Sequence, residues 1–201
     1  SVPFMTVQWL ATVYMLVVGT LVPVTALLQM WFTTRQMFLS AAIFFLVGTI
    51  VCGAAPAFSV LLIGRAVQAL GTGLMLPVMM NTMMMIFPPE RRGSAMGMVG
   101  LVVMFAPAIG PTIAGLIIDW LSWRWMFYLI IPIAAFSVLF AAAALRNVSD
   151  ITKPKVDFLS IVLSCVGFGG LVYGLSAAAT NLSSETLVSL IVGGVALVLF
   201  V

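Results

Sequence analysis

The 201-residue chain is 64% hydrophobic and 6% charged, with eight Lys and Arg, five Asp and Glu and no His. Soluble domains carry roughly 25% charged residues, so a water-soluble fold is excluded, and the missing His removes the usual zinc ligand and the commonest general base. The basic residues form no long stripe, which argues against a nucleic-acid partner.

The charges divide the chain into apolar runs, each long enough for a span of roughly 20 residues. A first helix is expected over 7–28, with Gln8, Thr12, Tyr14, Thr20 and Thr25 as its few polar residues. The joint Trp31–Gln36 leads to a second helix over 37–55. The turn Ala55–Ser59 is short enough that helix three, 59–86, must run antiparallel beside helix two. Pro88-Pro-Glu-Arg-Arg-Gly93 is read as a break, because Pro cannot continue a helix and Gly ends one at little cost. Helix four follows over 94–118, and helix five over 125–145 after the joint Asp119–Trp125. Helix six covers 158–178, and a seventh begins near Thr186.

The expected fold class is therefore an all-α polytopic membrane protein of about seven transmembrane helices. It divides into a bundle at 1–146, a polar linker at 147–157 and further helices at 158–201. Ser1 opens the chain without an initiator Met and Phe200-Val201 stops inside an apolar run, so an internal piece of a longer protein is expected. Arg35, Arg91, Arg92, Arg146, Lys153 and Lys155 fall in alternate joints, against Arg124 alone on the other side, which places the first set and the linker in the cytoplasm. Trp31, Trp120, Trp123 and Trp125 fall at helix ends, where amphipathic rings anchor in the headgroup region. Cys52 and Cys165 lie inside apolar runs and read as small core residues rather than a disulfide.

Arg65 is the one charge inside a span, roughly 9 Å along helix three. It either snorkels to the outer interface or faces an aqueous cavity, since an intramembrane charge is costly and usually kept for function. Arg65, Gln68, Thr72, Met75 and Met79 follow 3,4,3,4 spacing and form one stripe, which favours a cavity wall. Met75 and Met79 are candidates for a pocket that accepts varied apolar shapes, with plain core packing as the alternative. On helix four, Ala106, Gly110 and Ala114 repeat every fourth residue and permit close helix approach, while Pro107 and Pro111 each remove a backbone donor. A hinge and static tight packing both fit that pattern.

Leu62-Ile-Gly-Arg65-Ala-Val-Gln68-Ala-Leu-Gly71-Thr-Gly73 resembles the fourth-helix motif Arg-x-x-Gln-(Gly/Ala)-x-Gly of the major facilitator superfamily, in its fourteen-span drug:proton antiporters. Gly110-Pro111-Thr-Ile-Ala114-Gly115 resembles the fifth-helix antiporter motif Gly-Pro-x-x-Gly-Gly, with Ala114 in place of one Gly. Trp9–Tyr14, Pro88–Gly97 and Ser122–Phe127 are similar to the start of the family's second helix, its four-to-five joint and the start of its sixth helix. Thr33–Phe38 and Asp150–Lys155 resemble the lincomycin-resistance type of exporter. In the loop between helices two and three only Arg35 of the family's charged latch remains.

The resemblance implies a segment from family helix two into helix eight of a multidrug exporter in the bacterial plasma membrane. It implies proton antiport by alternating access, with the proton gradient as energy source and no cofactor. Its partners would be the lipid bilayer, protons, small lipophilic or cationic drug-like substrates and the remaining half of the transporter. Arg65, Gln68 and Thr72 are the expected cavity and coupling residues. Pro107, Gly110, Pro111, Ala114 and Gly115 are the expected hinge, and Arg35, Arg91 and Arg92 mark the cytoplasmic loops. A proton-independent facilitator, a channel or a structural membrane protein are the alternatives. A membrane enzyme would need a cluster of Asp, Glu, His, Cys or Lys at membrane depth, which the sequence lacks.

Overall fold

The computed structural model describes residues 4–145, 147, 158–178 and 184–200. The linker 147–157, apart from Asn147, therefore lies outside the described residues, as do Arg146, Lys153 and Lys155 with their contribution to the charge asymmetry. The described residues form seven helices: α1 (Phe4–Trp31), α2 (Thr34–Ala54), α3 (Phe58–Ile86), α4 (Pro89–Trp120), α5 (Trp125–Ala144), α6 (Phe158–Ala178) and α7 (Ser184–Phe200). Six of them, α1 to α6, are long and apolar enough to cross a membrane; α7 is shorter.

Helix ends follow local chemistry. Thr33 caps α2: its hydroxyl accepts from the Gln36 N–H at 3.2 Å, and the Gln36 side chain accepts from the Thr33 N–H at 3.1 Å, so two orphan donors are satisfied reciprocally. The four-to-five joint of the family map is shorter than the sequence suggests. α4 starts at Pro89, not at 94, because Pro88 is extended and Pro89 occupies the first helical position, where its fixed φ and missing N–H cost nothing. Gly93 is thus inside the helix. α1 likewise runs past the expected 28 to Trp31, since in lipid a backbone group is satisfied only by continuing the helix.

Small residues bring the helices together. A side chain on Gly48 would collide with the backbone of Gln68, and one on Gly71 would lie 2.5 Å from the Ala41 carbonyl. α2 and α3 therefore pack backbone to backbone, which side chains of ordinary size would prevent. At one end of this pair Arg35 donates to the Ala142 carbonyl at 2.6 Å. At the other, Tyr128 donates to Gly53 O and Arg124 to Ala55 O, both at 2.9 Å, so α5 lies antiparallel along α2.

The buried core of this group is Met37, Ala41, Leu74 and Val78. α1 stands between α3 and α6, with Thr25 bonded to Gly73 O on one side and Thr12 within 3.0 Å of Ser176 on the other. α6 and α7 pair closely, a Cβ on Gly170 lying 3.0 Å from the Gly193 Cα. Cys52 is fully buried and Cys165 partly so, and both are free thiols, as core residues would be. α4 is the exception to all of this packing, since none of its residues is buried.

Candidate functional site

Arg65 stands in the second turn of α3 and is half-buried. Its guanidinium donates to Gln68 Oε1 at 2.9 Å, which leaves the Gln68 Nε2 to donate to Thr49 Oγ1 at 3.0 Å. Gln68 is 3% exposed and Thr49 0%. The Thr49 hydroxyl in turn donates to the Phe45 carbonyl of its own helix at 2.7 Å. One turn along α3, Thr72 donates to the Gln68 carbonyl at 3.3 Å, so its oxygen accepts from the Tyr14 hydroxyl at 2.7 Å.

The guanidinium also lies 5.2 Å from the centre of the Tyr14 ring and 5.9 Å from that of Phe127, both within cation–π range. Arg65 is thereby tied to α1, α2 and α5 at once, and the described residues leave no buried side-chain polar atom unpartnered. A snorkelling arginine would reach away from the bundle; this one is turned into a polar network among helices.

The sequence pattern found Arg65, Gln68 and Thr72, and the structure brings these three together. It separates the two methionines of the same stripe. Met75 packs against the buried core, and Met79 lines a cavity of about 410 Å³ at the opposite end of the bundle, with Thr34, Phe38, Thr82 and Met83. The expected single wall is thus two surfaces at different depths. Tyr14, Thr49 and Phe127 stand around Arg65 as well, although the sequence pattern assigns none of them to the site. Tyr14 and Thr49 are isolated polar residues on other helices, and only the three-dimensional pairing shows their role.

Around Arg65, a cavity of about 470 Å³ opens at the ends of α2, α3 and α5. Phe58, Trp123 and Phe127 contribute apolar wall, and Arg124 stands in the same lining. The guanidinium of Arg124 lies 4.4 Å over the Trp123 ring. The described acidic residues, Glu90, Asp119 and Glu185, are exposed in the terminal turns of α4 and α7, and none lines this cavity. No group of side chains that could hold a metal ion occurs among the described residues.

The remaining predicted residues lie elsewhere. Arg35 clamps α2 to the end of α5, Arg92 donates to the Phe87 carbonyl at 3.1 Å and closes the end of α3, and Arg91 is exposed. Pro107, Gly110, Pro111, Ala114 and Gly115 lie on α4, which runs unbroken through both prolines. A Cβ on Gly110 or Gly115 would meet nothing within 4 Å, so among the described residues no helix packs on this stripe.

Residues 1–158 match the Major Facilitator Superfamily. The lincomycin resistance protein LmrB of Bacillus subtilis is 55% identical over 97% of this chain, and that of Listeria innocua 54% over 98%. Multidrug resistance protein 3 of B. subtilis is 34% identical over 79%. The chain spans 42% of the length of the LmrB relatives. A transporter family rather than an enzyme family, and a multi-pass location in the bacterial cell membrane, accord with the six apolar spans. With the arginine motif on α3, the Gly-Pro motif on α4 and this likeness along almost its whole length, the chain belongs to the Major Facilitator Superfamily.

Proposed function

We propose that the chain is part of a drug exporter that works by alternating access and is driven by inward proton flow. The observation that carries this reading is the network Arg65–Gln68–Thr49, a fixed positive charge held inside the bundle beside a cavity. The names of the relatives support drug resistance as the setting. Arginine keeps its proton across the physiological range, so Arg65 does not carry the transported proton. Its role is electrostatic: it lowers the pKa of a carboxylate brought near it, and so favours release of that group's proton.

The described acids stand in the terminal turns of helices, so the proton-carrying carboxylate either belongs to the remainder of the transporter or sits at an edge, Asp119 at the end of α4 being the candidate on the side of the Arg65 cavity. No cofactor is needed, because the gradient supplies the energy. The test is export of lincomycin from proteoliposomes holding the complete protein, with and without an imposed proton gradient. Export that stops when the gradient is collapsed, and that Arg65→Ala abolishes while Arg65→Lys partly restores it, is the expected result. Export indifferent to the gradient would make the protein a facilitator, and normal export by both variants would remove Arg65 from the mechanism.

A further inference from the structure

The cavity at the ends of α2, α3 and α5 carries two arginines and, among the described residues, no acid. A guanidinium has five N–H donors. Arg65 gives one bond to Gln68 and Arg124 one to the Ala55 carbonyl, and no ion pair satisfies either within the described residues. The rest of the wall is aliphatic and aromatic, from Phe58, Leu61, Trp123 and Phe127. Two like charges line a largely apolar hollow with no counter-charge among the described residues, and charges at such a wall are stabilised by a counter-charge of matching geometry. Planar forks suit oxyanions, which accept two N–H bonds side by side.

We propose that this cavity binds an amphipath through an oxyanion head, phosphate or carboxylate, held by Arg65 and Arg124, with its apolar body against the aromatic wall. The hollow, about 470 Å³, lies within the roughly 300–1,000 Å³ of small-molecule sites. It sits at helix ends rather than at mid-membrane, on the side with Trp123 and Trp125, where headgroups lie. The same chemistry comes from two sources, an anionic phospholipid of the adjoining leaflet or a free amphipathic anion. A cation of the same shape is repelled. The proposal concerns binding and stands whether or not export is proton-coupled.

The complete protein in nanodiscs of phosphatidylcholine is titrated with octyl phosphate. Tryptophan fluorescence is the readout, and Trp123→Phe identifies the signal of the cavity. Octyl phosphate is expected to saturate the signal at least about tenfold more tightly than octyltrimethylammonium or octyl glucoside, the worth of one charge-assisted hydrogen bond. Arg124→Gln is expected to remove that margin and Arg124→Lys to keep most of it, which a purely structural bond to Ala55 would not do.

Equal binding of the three octyl probes, or unchanged affinity in Arg124→Gln, overturns the proposal. If that variant does not fold, Arg65→Gln is read in the same way. Phosphatidylglycerol added to the nanodisc distinguishes the sources: displacement of octyl phosphate identifies a leaflet lipid as the occupant, and undiminished binding identifies a free anion. Both of these outcomes require the oxyanion site.

Discussion

Tyr14 does two separable things for Arg65. Its ring lies beneath the guanidinium at 5.2 Å, and its hydroxyl bonds Thr72 at 2.7 Å, so α1 is fixed to α3 at the level of the charge. Tyr14→Phe keeps the ring and loses the bond, with an expected loss of about 1 kcal/mol in the stability of the complete protein. Tyr14→Leu also loses the cation–π contact, which adds about 0.5–1 kcal/mol. Unfolding of the purified protein in increasing SDS checks the order wild type, Phe, Leu. Equal midpoints for Phe and Leu would show that the ring contributes nothing. Gln68→Leu is the harsher change, because it strips a fully buried Thr49 hydroxyl of its donor and the guanidinium of its acceptor together. Its cost is expected at about 1–3 kcal/mol, and export should fall with it, as Arg65 is then free to take another direction.

Glycine means different things on α3 and on α4. On α3, a methyl at Gly71 would meet the Ala41 carbonyl at 2.5 Å and the Phe45 nitrogen at 2.6 Å, backbone atoms that cannot swing aside. Gly71→Ala is therefore expected to cost about 1–3 kcal/mol or more through overpacking, read as lower yield of folded protein and a lower unfolding midpoint. On α4, Gly110 has open space around it, so Gly110→Leu strains nothing within this segment. Loss of export by Gly110→Leu in the complete protein, with normal membrane insertion, is the outcome a hinge or seal on α4 requires; unchanged export would discard it. The helices themselves were readable from composition because a lipid-embedded backbone has no alternative to the helix. The α2–α3 pairing was readable from the short turn at Ala55–Ser59. The start of α4 was not, because the rule that proline breaks a helix hides its preference for the first helical position. Nor was the parting of Met75 from Met79: they share a face, but that face passes from the packed core to an open cavity within one turn.

At the scale of the whole molecule, the seven helices are packed unevenly. α1, α2, α3 and α5 form one group and α6 with α7 joins it through α1, while α4 lies almost bare, with Met104 78% exposed. Bare apolar surface is stable against lipid tails, so exposure alone does not call for a partner. The residue pattern on α4 does, because Ala106, Gly110 and Ala114 line up on one face and small residues earn their place only where another helix comes close. Phe105, five residues before Gly110 and roughly 140° around the helix at about 100° per residue, presents a bulky side chain suited to lipid. The relatives are more than twice as long as this chain, and a protein of their length has sequence enough to supply a covering helix. In the complete protein, freed of its other cysteines, a nitroxide on Phe105→Cys should show the high oxygen accessibility of a lipid-facing site, and one on Gly110→Cys a low one. If both sites are equally accessible to oxygen, the small-residue face is turned to lipid, and α4 cannot be the element against which the rest of the transporter moves.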